Sequence, residues 1–175
     1  MAEMRRVLAP GGVALIGGEK IVKPRPKGMD EWQQHYHGAD NNAVANDGLV
    51  GPPRHFPWIA EPQWSRSHLC LPSINSLVSA GGRLFSIEDQ ASAEHQALPG
   101  KFALICRDAF NGIELWRKKL DHWFNHMWPF KSGPLVFTRR LVVKGDSLFA
   151  ALEMGGGVSI LDANTCELLH ELPGT

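Results

Sequence analysis

The amino-acid sequence predicts an all-β chain carrying two copies of one four-stranded unit. Three observations point there. Apolar residues alternate along several short runs, and Gly-containing turns separate them. Asp108-Ala109 recurs as Asp162-Ala163, and Trp116 is answered by His170 at the same spacing (162 − 108 = 54; 170 − 116 = 54). Eighteen Gly and twelve Pro in 175 residues favour a turn-rich β architecture over a helix bundle.

Residues 1–17, MAEMRRVLAPGGVALIG, read as one step of helix, turn and strand. Met4, Val7 and Leu8 fit one helical face. Pro10 cannot continue the helix, Gly11-Gly12 supply a tight turn, and VALI follows as a short apolar strand. Residues 18–30, GEKIVKPRPKGMD, are basic and contain Pro-x-Pro, the composition of a stiff linker. Residues 31–75 are aromatic and loop-rich, with turn signals at His37-Gly38, Asp47-Gly48 and Gly51-Pro52-Pro53. HFPWIA, residues 55–60, reads as a strand.

From residue 76 the pattern becomes regular. SLVSAGGRLFSIED is strand, Gly-Gly turn, strand. KFALICRDA is a third strand, FNG a turn and IELWRKKL a fourth. Residues 135–175 repeat the plan. RRLVVKGDSLFAALE turns at Gly145-Asp146, GVSILDA is the third strand, NTC the turn and ELLHEL the fourth, and Gly155–Gly157 supply a hairpin turn. Two four-stranded units near 76–120 and 135–175, about fifty residues each, are what a partial β-propeller would show.

The spacing inside the repeat has a physical reading. Asp108 and Asp162 end a strand and can accept hydrogen bonds from turn amides. Gly112 suits the positive dihedral of the turn. Trp116, on the returning strand, can pack between neighbouring units. The strings CRDAFNGIELW and ILDANTCELLH resemble L-D-A-x-T-G-x-x-x-W, the repeat motif of pyrroloquinoline-quinone-like (PQQ-like) propellers. Asp108, Gly112, Trp116, Asp162 and Thr165 carry the match, whereas Cys166 and His170 depart from the family's Gly and Trp. DEWQQHYHGADNNAVAND is similar to the W-x-x-F-R-G-x-x-x-N-G opening of such proteins, so the resemblance spans residues 31–175. It implies a non-catalytic binding or scaffold module, or alternatively part of a quinoprotein dehydrogenase. In that family PQQ and calcium sit on the axis of a complete ring. Two units and no Cys-Cys pair imply no cofactor in this chain alone. The expected partners are further propeller blades, a second copy of the chain, or another protein.

RRVLAPGGVALI resembles the late R-x-L-x-P-G-G-x-L segment of class I S-adenosylmethionine-dependent methyltransferases, over about a tenth of the chain. That family's glycine-rich cofactor loop and acidic ribose ligand have no counterpart here. The resemblance therefore implies a methyltransferase remnant at residues 1–17 and a reading frame that opens inside a longer fusion, without the activity.

Other function classes find little support. Eighteen basic residues balance eighteen acidic ones, so no global field draws nucleic acid. No apolar run is long enough for a membrane span, and no export signal assigns a compartment. Three dispersed Cys form no CxxC. No G-x-S-x-G or phosphate-loop motif occurs. His122 and His126 would share one face of a helical turn at zinc-site spacing, with Asp121 as a third ligand or as a carboxylate hydrogen-bonded behind one of the histidines. Trp123, Phe124, Trp128 and Phe130 interleave with them and fit an aromatic capping loop instead. His35, His37 and Asp40 form a second candidate cluster, with turn stabilisation as its alternative.

Overall fold

The computed structural model describes residues 2–49, 51, 54–61, 73–92, 99–121, 123 and 135–174. Among these residues there are ten strands in three antiparallel sheets and two short helices, and the sheets do not close into a barrel.

A helix α1 (Ala2–Val7) leads into β1 (Val13–Ile16), which pairs with β2 (Glu19–Val22) in a two-stranded hairpin. The αβ step expected of residues 1–17 is therefore completed differently. VALI joins no larger sheet, and α1 buries none of its residues. Gly17 and Gly18, both at positive φ, turn the chain back, and Ile21-Val22 of the expected linker form the returning strand. Below the hairpin, the Gly11 amide donates to the Lys23 carbonyl and the Lys23 amide to the Gly12 carbonyl, and Lys23 Nζ donates to the Leu8 carbonyl at 2.6 Å.

The first large sheet is a meander of β3 (Ile74–Ala80), β4 (Arg83–Asp89), β5 (Phe102–Asp108) and β6 (Glu114–Leu120). After α2 (Leu135–Thr138) comes the second meander: β7 (Leu141–Lys144), β8 (Ser147–Ala150), β9 (Val158–Asp162) and β10 (Leu168–Leu172). Each large sheet runs in sequence order, because each connection is a hairpin. Residues 151–157, including Gly155–Gly157, join β8 to β9. HFPWIA, expected as a strand, forms none. Among its residues Phe56 and Ile59 are exposed and have no ladder to join.

Alternation decides which side chains meet. Val78, Phe85, Ile87, Leu104 and Cys106 of the first sheet face Leu141, Val143, Leu148, Leu161 and Ala163 of the second, all buried in one cluster. Trp123 and Phe137 complete this cluster beside Phe102, with ring centroids 6.4 and 6.0 Å from Trp123. The core thus lies between the two four-stranded sheets, and β3 runs alongside β7.

Candidate functional site

The repeated turns coincide bond for bond. In the first sheet Asp108 Oδ1 accepts from the Phe110 and Asn111 amides at 2.8 and 3.1 Å, and the Gly112 amide donates to the Asp108 carbonyl at 2.9 Å. In the second, Asp162 Oδ1 accepts from Asn164 and Thr165 at 2.7 and 3.0 Å, and the Cys166 amide donates to the Asp162 carbonyl at 2.8 Å. These amides hold the Asp162 carboxyl below its ordinary value of 3.8. The fifth residue of each turn is left-handed: Gly112 at φ +74 and Cys166 at φ +66.

Indole N–H groups tie each turn to something outside it. Trp116 Nε1 donates to the Ala163 carbonyl at 3.0 Å, crossing from the first sheet to the second. Trp58 Nε1 donates to the Ala109 carbonyl at 3.0 Å, the same position of the first turn. A Cβ on Gly112 would lie 2.5 Å from the Trp58 ring, so glycine is required there on two counts. The role of Trp58 was not readable from the sequence, because no repeat spacing leads to it. Arg83 adds a second staple. Its Nη2 donates to the Gly145 carbonyl at 3.1 Å and to Asp146 Oδ1 at 2.8 Å, and its Nη1 bonds Asn164 Oδ1.

The 30–42 segment runs as a strap across both sheets. The Trp32 carbonyl accepts from Ser79 of β3 at 2.7 Å, and the Gln33 carbonyl accepts from Val143 of β7 at 2.9 Å. Glu31 Oε1 accepts from the Gly81 amide at 2.7 Å. The strap then folds on itself, Gln34 pairing with His37. This turn separates His35 from His37, two members of the second candidate cluster. His37 is buried at positive φ, and its Nε2 lies 2.7 Å from Asp30 Oδ2. His35 instead packs against Tyr36 with tilted rings, centroids 4.3 Å apart, while Asp40 Oδ1 accepts from the Asn42 amide at 3.2 Å. Among the described residues no group of three or more His, Cys, Asp or Glu is placed to hold a metal ion. His122 and His126 lie outside the described residues.

Cys106 is buried in the core, and burial pushes its thiol up to about 12. Burial also raises Cys166. Neither is a thiolate at neutral pH, so neither is an activated nucleophile. No helix among the described residues is long and apolar enough to cross a membrane.

The two large sheets differ in what covers them. Across the first sheet, registered pairs form the row Val78–Phe85–Cys106–Trp116, packed against the second sheet. The same registers across the second sheet give Val142–Phe149–Ile160–His170. That second row lies on the sheet face opposite the core. Val142 is 37% exposed, and the neighbouring Val158 and Leu172 are 36% and 43% exposed. Arg139, Arg140, Val142, Phe149, Ala151 and Val158 line a groove on this face.

No family model matches the chain, and no curated protein matches it significantly.

Proposed function

We propose that the chain is a non-catalytic binding or scaffold module of the PQQ-like propeller class, in which β3–β6 and β7–β10 are successive blades. The observation that carries this reading is the shared register of the two rows. The row that buries itself between the sheets in the first unit has an apolar counterpart in the second, and that counterpart faces outward. A surface patterned like a sheet–sheet interface is suited to receive another four-stranded unit of the same repeat. His170 stands where Trp116 stands, at the β10 end of this row. In a solution of this chain alone, a second copy is the source of such a unit. Residues 1–17 keep their methyltransferase-like sequence, and no methyl transfer is assigned to them.

Sedimentation velocity tests the reading. Association that grows with concentration, and is suppressed by the outward-facing pair Val142→Lys and Val158→Lys, is the expected result. A monomer at every concentration, unchanged by the double substitution, would count against the docking face. The non-catalytic half is tested separately by equilibrium dialysis with PQQ and calcium. No retention is expected, and stoichiometric retention of the quinone would move the assignment to the dehydrogenase class.

A further inference from the structure

The strap and the start of β7 form a second feature, which borders the outward face of the second sheet at Arg139 and Val142. A cavity of about 460 Å³ is lined by Gln34, His35, Tyr36, Asn41, Arg139 and Leu141, with Val142 at its edge. This volume lies in the range of small-molecule sites, ~300–1,000 Å³. Its lining contains a guanidinium, an imidazole, a phenol and two amides, and no carboxylate.

Two neighbouring arginines show why Arg139 is the notable group. Arg140 is committed: its Nη1 and Nη2 donate to the Glu153 and Met154 carbonyls at 3.0 and 3.2 Å, and its Cζ lies 5.7 Å from the Trp123 centroid. Arg139 sits over the Tyr36 ring at 5.8 Å and has no carboxylate partner among the described residues. A cation–π contact leaves the planar N–H fork of a guanidinium free to bind an anion. Asn41 Oδ1 accepts from Gln34 Nε2 at 3.3 Å, which leaves the Asn41 amide N–H groups to donate. The His35 ring and the Tyr36 hydroxyl have no hydrogen-bond partner among the described residues.

The wall carrying these donors is held in place. Backbone bonds from Trp32 and Gln33 fix the strap to β3 and β7, and the Gln34 side chain bonds the Gly38 carbonyl. Donors fixed in advance lose little freedom when a ligand arrives. We infer that this cavity binds a small organic monocarboxylate, its carboxylate on Arg139 and Asn41 and its apolar or aromatic part against Tyr36 and Val142. One guanidinium balances one negative charge. A phosphate dianion would require more cationic partners than the lining supplies.

The test uses the intact chain with benzoate as probe, read by the nitrogen-15 shifts of the Asn41 side-chain amide and Arg139 Nε. Saturable shifts are expected with benzoate and none with benzamide, which has the same shape without the charge. Arg139→Ala should weaken benzoate binding about tenfold or more, and Arg139→Lys less, because the charge remains but the fork is lost. Unchanged backbone shifts across β3–β6 would confirm that the variants fold. Equal binding of benzamide, unaltered affinity in Arg139→Ala, or no saturable shift with benzoate would overturn the inference. Inorganic phosphate binding tighter than benzoate would overturn the carboxylate assignment.

Discussion

Cys166 shows how far a single residue can depart from a repeat while keeping its geometry. It adopts φ +66 where the first copy places Gly112 at φ +74, and its turn makes the same backbone bonds. A left-handed residue with a Cβ carries strain of roughly 1–2 kcal/mol. Its thiol offsets part of that by packing against the core. Cys166→Gly should therefore raise the unfolding free energy by up to about 1 kcal/mol. Cys166→Ala should lower it, because it keeps the strain and loses the sulfur. Urea unfolding of the two variants distinguishes the outcomes, and destabilisation by both would mean that packing outweighs strain.

Protonation acts on the matching position of the same turn. The Asp162 carboxyl is held below 3.8 by the Asn164 and Thr165 amides, and Asp30 by the Asn46 amide at 2.6 Å and by further bonds including His37. A depressed folded-state pKa contributes stability that is complete above the unfolded value and lost as pH falls through the folded value. Stability should thus fall below about pH 4 as these carboxylates take up protons. Replacing both with Asn should flatten that acid limb in a pH series of thermal melts. An acid limb of unchanged steepness would show that other carboxylates govern it.

At the scale of elements, the last eight strands were legible mainly from the Gly, Asp and Asn turns between them, with alternation clear in β7 and β8 and absent from β5 and β10. Asp108 illustrates the mechanism. Asp108→Ala removes the carboxylate oxygen that accepts from two amides of the 108–112 turn and should cost about 1–2 kcal/mol. A cost near zero in denaturant melts would mean that the hairpin forms without its turn bonds. Where turn chemistry was absent or long-range partners decided, the sequence misled. HFPWIA has strand-like composition, yet Trp58 is fixed by an N–H bond to Ala109, 51 residues away, and not by a neighbouring strand. VALI reads equally well as part of an α/β sheet or a hairpin, and only the Gly17-Gly18 turn selects the hairpin. The strap is harder still. Its backbone bonds go to Ser79 and Val143, contacts that no local pattern encodes. The cavity at Arg139 follows from the strap and was hidden for the same reason.

At the scale of the molecule, the two large sheets are joined by an apolar core and by directional bonds to the 162–166 turn and the neighbouring 145–146 turn. Trp116 reaches the Ala163 carbonyl, and Arg83 reaches Asn164, the next residue, as well as Gly145 and Asp146. Apolar contact resists separation of the sheets but tolerates sliding, because it has no preferred direction. Hydrogen bonds from two elements of the first sheet to adjacent residues of the second fix the register between them. Their energies should then be coupled. Trp116→Phe keeps an aromatic ring beside Phe85 and removes the N–H, at about 1 kcal/mol. Arg83→Met keeps apolar bulk but removes the guanidinium, at about 1–3 kcal/mol, with exposed Asp146 returning to water. If the turn is held as one body, the double variant should lose less than the two single losses combined, with a coupling of at least about 0.5 kcal/mol. The first substitution frees the turn to move, and the second then removes a bond already weakened. Additive losses in a double-mutant cycle would mean that each bond acts on a turn that its own hairpin already holds rigid, and that the register between the sheets is set by the core alone.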